Sequence, residues 1–209
     1  MRSRLLVFLV GATVAGFSGL MAERSDDKVI LFLGDSLSAG YGIDPEESFP
    51  ALIQQRLDSK QLPFRVVNAG VSGETSAGGL RRLSWLLRQS VDVFVLELGA
   101  NDGLRGVQLA ETRSNLSAIL DRVRESNPGA VLVVAGMKLP PNLGQTYISG
   151  FEAIFSELAG EYEAVLIPFL LEDVAGRPDL NQPDGIHPTP AGHKIVAETV
   201  WGYLAPLLN

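Results

Sequence analysis

The 209-residue sequence predicts an α/β fold, with a parallel sheet covered by helices on both faces. Five short runs of branched and aromatic residues recur along it: Val29 to Leu33, Arg65 to Asn68, Val91 to Leu98, Ala130 to Ala135, and Ala164 to Pro168. Each is apolar at nearly consecutive positions, the pattern of a strand buried on both faces. Between them lie segments with apolar residues at helical spacing, long enough to serve as crossovers. This alternation directs ligand chemistry to the carboxyl ends of the strands.

The elements follow in order. After the first strand, Pro50 to Leu57 places Leu52, Ile53 and Leu57 on one helical side, and Leu80 to Leu87 does the same with Leu83, Leu86 and Leu87. Leu109 to Val123 repeats the pattern with Leu116, Ile119, Leu120 and Val123, and Tyr147 to Leu158 and Ile195 to Leu204 complete the set. No internal repeat or long linker divides the chain, so residues 28–209 read as one domain.

Ahead of that domain stands a different segment. Arg2 and Arg4 precede an apolar and small stretch from Leu5 to Leu20, and a polar run from Glu23 to Lys28 follows, which is the layout of an export signal over residues 1–22. The expected location is periplasmic or secreted, with the cut near Gly16 to Ser18 or after Ala22. An uncleaved N-terminal anchor is the alternative, but a span wants about 20 apolar residues and this stretch is short of that. Lys and Arg number 17 against 24 Asp and Glu, and loss of residues 1–22 removes two arginines and no acid, taking the net charge from −7 to −9. Such a chain is a poor partner for nucleic acid or an anionic membrane surface. It contains no cysteine, which excludes disulfides, thiolate catalysis and cysteine-held metal.

Three strand ends carry candidate chemistry. The first strand runs into Gly34-Asp35-Ser36-Leu37-Ser38-Ala39-Gly40, where a serine on a tight turn can expose its hydroxyl. Serine is a poor nucleophile without a base and a group to orient that base; the alternative is that Ser36 merely caps the next helix. Only two histidines exist, His187 and His193. His187 sits in Pro183-Asp184-Gly185-Ile186-His187-Pro188, where Asp184 can fold back toward the ring Nδ1 hydrogen and fix the tautomer. His193 falls in the opening turn of the last helix and reads as a surface or packing residue. The second and third strands empty into Asn68 to Ser76, with Gly73, and into Gly99-Ala100-Asn101-Asp102-Gly103. Backbone N–H groups of the first and the Asn101 amide of the second are candidate donors to an oxyanion.

Four blocks, Gly34-Asp35-Ser36-Leu37-Ser38, the Gly73 loop, Gly99-x-Asn101-Asp102 and Asp184-x-x-His187, occur in the order found in the GDSL or SGNH hydrolases, and the chain from Lys28 onward resembles that family. Within it the resemblance is to bacterial periplasmic thioesterases also described as arylesterases and lysophospholipases. It implies a flavodoxin-like three-layer α/β/α sandwich with a five-stranded parallel sheet. It also implies Ser36, Asp184 and His187 as a catalytic triad, an oxyanion hole of Ser36, Gly73 and Asn101, and hydrolysis of an acyl ester or thioester through an acyl-serine. Gly103 to Val107 is similar to a loop that responds to substrate, and Met137 to Tyr147, with Leu139, Pro140, Pro141 and Leu143, falls where the family contacts the acyl chain; Leu104, Leu139 and Pro140 are the candidate substrate-binding residues, and the apolar loops at Leu104, Leu139 to Leu143 and Ile148 favour an acyl chain over a sugar. No cofactor and no metal are implied, and a monomer is expected.

Three rivals stand beside this reading. A metal-dependent hydrolase would use Asp35, Asp102, Asp184 and His187, but a second histidine is missing. A flavin- or nucleotide-binding module would cradle phosphate at Gly34 to Gly42, yet the loop has no Gly-x-Gly-x-x-Gly pattern and puts Asp35 where an anion would sit. A carbohydrate deacetylase would share the triad, and only the apolar loops argue for an acyl chain instead.

Overall fold

The computed structural model describes residues 27–208, so the export segment and its cut site lie outside the described residues. Five strands form one parallel sheet: β1 (Lys28–Gly34), β2 (Phe64–Gly70), β3 (Val93–Glu97), β4 (Val131–Ala135) and β5 (Val165–Ile167), in the order β2-β1-β3-β4-β5. All five expected runs are present. β3 is buried at every position and β1 at all but Lys28, as an apolar run without alternation requires. β2 lies at an edge and is only partly covered.

Among the described residues seven α-helices accompany the sheet: α1 (Ser36–Ala39), α2 (Phe49–Ser59), α3 (Ser76–Leu86), α4 (Ala100–Leu104), α5 (Leu109–Ser126), α6 (Gln145–Glu161) and α7 (Pro190–Leu204). From β1 the chain crosses outward to β2, then returns past β1 to β3 and continues in the opposite direction to β4 and β5. Right-handed crossovers in opposite directions put their helices on opposite faces. Accordingly α2 packs with α7, while α3 packs with α5 and α5 with α6. The fully buried Phe32, Phe49, Phe94 and Phe151 fill the layers between.

Two helices begin a full turn or more earlier than apolar spacing indicated. α3 starts at Ser76, where Thr75 accepts a hydrogen bond from the Gly78 N–H, and α7 starts at Pro190, capped by Thr189. Both first turns contain glycine for space: a Cβ on Gly79 would lie 2.3 Å from Leu98 Cδ1, and one on Gly192 would lie 2.3 Å from the Leu180 carbonyl. A residue normally read as a helix breaker here lets the helix approach its neighbour. Two one-turn helices, α1 and α4, occupy segments that read as loops, and each carries a candidate site residue.

His193 has the expected packing role. It is buried in α7, its Nδ1 accepts from the Phe49 N–H at 3.2 Å, and its ring stacks on Phe49. Burial, helped by His187 nearby, lowers its pKa from 6.5 to about 4. Between those values the unfolded chain takes a proton that the folded chain refuses, so this residue makes stability fall as pH falls through the window. The whole shift corresponds to on the order of 3 kcal/mol. His193→Asn keeps an acceptor for Phe49 and does not titrate; urea unfolding of the described domain at about pH 7 and about pH 4.5 should show it losing roughly 2–3 kcal/mol less than the parent. Equal losses would contradict the assignment.

Candidate active site

The order β2-β1-β3-β4-β5 makes the gap between the ends of β1 and β3 the topological switch point, where open parallel sheets hold ligands. Ser36 leaves β1 and Asn101 follows β3 at that point. The register sets Gly34 beside Gly70 of β2 on one side and Glu97 of β3 on the other.

Ser36 is the first residue of α1, and it does not cap that helix. The cap is Asp35, whose Oδ1 accepts from the Leu37 N–H at 3.0 Å, which leaves the serine hydroxyl free for another partner. That partner is His187, whose Nε2 lies 2.9 Å from Ser36 Oγ, while its Nδ1 lies 2.8 Å from Asp184 Oδ2. A carboxylate only accepts, so Nδ1 carries the hydrogen, and Nε2 is the ring nitrogen that faces the serine hydroxyl. The other Asp184 oxygen accepts from the Ile186 and His187 N–H groups, so one side chain shapes the turn and orients the ring. These bonds, led by that from His187, hold the Asp184 pKa down to about 2.

The histidine loop is fastened to the α1 segment. Gln182 receives the chain back through a hydrogen bond from its N–H to the His187 carbonyl, and its Nε2 donates to the Tyr41 carbonyl at 2.7 Å. The Tyr41 ring lies against the imidazole with centroids 4.6 Å apart. On the opposite side, Gly73 adopts a left-handed φ of +78°, and Arg105 donates to its carbonyl at 2.9 Å and to Asn101 Oδ1 at 3.5 Å. Asn101 Nδ2 donates to Asp35 Oδ2 at 3.0 Å.

Sequence reasoning missed what lies beneath. Glu97, fully buried, accepts on Oε2 from the Asp35 N–H, the Ser38 N–H and the Ser38 hydroxyl, the last at 2.6 Å. Burial, and then the charge of Asp35, pushes its pKa well up. Burial likewise raises Asp35 to about 6, against the Leu37 and Asn101 hydrogen bonds and His187. The signal was present in the sequence: Glu97 is a carboxylate in an otherwise apolar strand, Val-Phe-Val-Leu-Glu.

Ser36, His187, Gly73, Asn101, Leu104, Leu139 and Pro140 all line one cavity of about 780 Å³. Asp184 stands behind the imidazole. Met137, Phe169, Leu171 and Ala175 extend the wall, and the last three come from the segment after β5, where no motif was legible. Leu143 and Ile148 do not line it. Ile148 is buried in the core and Leu143 packs against the core, which corrects their assignment to the acyl site. Asp102 turns away as well, accepting from the Ser76 N–H at 2.8 Å and from its hydroxyl. The carboxylate set of a metal hydrolase is therefore not assembled, and no cluster of metal-ligating side chains occurs among the described residues.

A parallel α/β sheet with a serine, histidine and aspartate joined at its switch point has the architecture of a serine hydrolase. The model of the GDSL-like lipase/acylhydrolase family matches residues 32–195, and the chain belongs to that family. It is 41% identical over 190 residues to esterase TesA of Pseudomonas aeruginosa, covering 90% of this chain and 94% of that one. It is 42% identical over 181 residues to the thioesterase 1/protease 1/lysophospholipase L1 of Escherichia coli, covering 86% and 85%. Among solved structures, the psychrotrophic esterase EstA from Pseudoalteromonas sp., inhibited by monoethylphosphonate, superposes with a TM-score of 0.82 at 36% identity, covering 88% of this chain and all of that one.

Gly34, two residues before the serine, is required for room. A Cβ there would lie 2.2 Å from Ser38 Oγ and 2.3 Å from Glu97 Oε2, well inside contact distance. Gly34→Ala should destabilise by roughly 1–3 kcal/mol through overpacking and lower the melting midpoint on the order of 5 °C. Calorimetry checks this, and an unchanged midpoint would mean the junction is looser than the distances indicate.

Proposed function

We propose that the protein hydrolyses acyl esters and thioesters, including aryl esters and lysophospholipids, with Ser36 as nucleophile, His187 as general base and then acid, and Asp184 as its orienting partner. The relay from Asp184 Oδ2 through His187 to Ser36 Oγ, at 2.8 and 2.9 Å and opening into an apolar cavity, is the observation that carries the reading.

The reaction runs in two halves. Ser36 Oγ attacks the acyl carbonyl as its proton passes to His187 Nε2; the imidazolium is stabilised by Asp184 and returns the proton to the departing alcohol or thiol. Water then attacks the acyl-serine by the same route and releases the acid. The oxyanion in both halves is met by the Ser36 and Gly73 N–H groups and the Asn101 amide, donors set in place before reaction.

The cavity wall selects the acyl group. Leu104, Met137, Leu139, Pro140, Phe169 and Leu171 give a carbohydrate few hydrogen-bonding partners, so a sugar deacetylase is disfavoured although it would share the triad. Export of the mature enzyme rests on the sequence of residues 1–22. No helix among the described residues is long and apolar enough to cross a membrane.

Turnover of p-nitrophenyl esters by purified variants tests the roles. Ser36→Ala and His187→Ala are each expected to lower kcat on the order of 10⁴-fold, and Asn101→Ala roughly 10²- to 10³-fold; near-normal turnover by Ser36→Ala would remove the assignment. A second measurement addresses the cavity. Across esters of graded chain length, kcat/KM should rise as methylenes are added until the wall is filled, by up to about fourfold for each one buried. Leu139→Asp should flatten that rise while sparing short acetyl esters, whereas an equal loss at every length would place Leu139 outside the acyl site.

A further inference from the structure

The roles proposed above leave one requirement unmet. A carboxamide is nearly the same shape when turned by 180° about its terminal bond, yet only one orientation offers N–H to an oxyanion. In the other, Asn101 would present its oxygen and repel the charge it is meant to receive. Something must hold the amide the right way round.

The structure supplies contacts at both ends of that side chain. Asn101 Nδ2 donates one hydrogen to Asp35 Oδ2 at 3.0 Å, and Oδ1 faces the Arg105 guanidinium at 3.5 Å. Arg105 can only donate, and an ionised Asp35 can only accept, so both contacts select the same orientation. The second hydrogen on Nδ2 stays available for substrate. Asp35 is itself immobile: it is buried, its other oxygen caps α1 through the Leu37 N–H, and its own N–H is bound to Glu97.

Glu97 completes the arrangement. Its Oε2 gathers three hydrogen bonds from the turn that carries the nucleophile, and its Oε1 is buried with no partner. Burial, and then the charge of Asp35, pushes the Glu97 carboxyl well up, so ionisation of Glu97 beside an ionised Asp35 is disfavoured.

We propose that Asp35 is the positioning residue of the oxyanion hole, its Oδ2 dictating which end of the Asn101 amide faces the reacting carbonyl. The inference rests on the roles of Ser36 and Asn101 proposed above.

Asp35→Asn separates this role from simple support of the fold. The new side chain is the same size and keeps an oxygen for the Leu37 N–H, but it places an NH₂ group against the NH₂ of Asn101. That contact then works against the Arg105 one, so the Asn101 amide loses its fixed orientation and with it a donor aimed at the oxyanion. The expected result, with a short p-nitrophenyl ester, is a fall in kcat of roughly 10²-fold with KM within about twofold of the parent. Asp35→Asn combined with Asn101→Ala should be no slower than the slower single variant, because both remove the same donor. Asp35→Ser, which retains a capping oxygen and withdraws the acceptor from Asn101, should show the same loss and serves if the first variant does not fold.

Multiplying losses in the double variant, or kcat within about threefold of the parent in folded Asp35→Asn and Asp35→Ser, would overturn the inference. Ser36→Ala in the same assay distinguishes the two levels. Turnover by that variant sinks the underlying roles, whereas its silence beside an active Asp35→Asn sinks only the positioning role.

Discussion

One hydrogen bond joins positions 151 residues apart: the 2.9 Å contact between His187 Nε2 and Ser36 Oγ. It exists only if the turn after β1 and the loop before α7 arrive at the same side of the sheet with errors well under an ångström. A buried parallel sheet supplies that tolerance, because its strands are fixed by a continuous ladder and by close packing on both faces. The last segment needs more, since it leaves β5 and travels back across the site. Gln182, the Asn181 to Pro188 bridge and the Asp184 turn provide it.

The strand frame was legible because strands buried on both faces must be apolar at every position. The hydrogen-bonded grouping of Ser36, His187 and Asp184 was legible for a different reason: with two histidines in the chain, the choice of imidazole was nearly made by scarcity, and Asp184 stood at the spacing its turn requires. Helix starts were less legible. Gly79 and Gly192 look like breakers, and what they do depends on Leu98 and on the Leu180 carbonyl, neighbours that only the fold reveals. The same holds for Leu143 and Ile148, apolar residues expected at the acyl site: Ile148 is drawn into the core by α6, and Leu143, in the turn just before it, packs against that core. Phe169, Leu171 and Ala175 carried no signal, because a cavity wall built from an irregular segment has neither period nor motif.

Beneath the visible chemistry, stability and function pull against each other. Two carboxylates, Asp35 and Glu97, are buried next to Ser36, and each such group costs several kcal/mol unless it is paired or protonated. The fold meets the cost by using them as acceptors for backbone that has no other partner: the Leu37 N–H on Asp35, the Asp35 and Ser38 N–H groups on Glu97. Replacing both with apolar groups would leave those donors orphaned and remove the Asn101 amide's hydrogen bond to Asp35. The pair is therefore retained as the scaffold of the turn, and Gly34 is small because that scaffold occupies the space where its Cβ would stand.

This arrangement divides the site into parts that can vary independently. Ser36, His187, Gly73 and Asn101, to which the proposed chemistry is assigned, come from the turns after β1, β2 and β3 and from the segment before α7, tied together by hydrogen bonds in which a shift of one partner is felt by all. Much of the cavity wall comes from the segments after β4 and β5, through Met137, Leu139, Pro140, Phe169, Leu171 and Ala175, whose apolar side chains make no hydrogen bonds to the triad. Their volume can change with little strain on the Ser36 to His187 contact. Under the proposed function, substrate selection belongs to the shape of the wall and the chemistry to the hydrogen-bonded turns, so the one can vary while the other is kept.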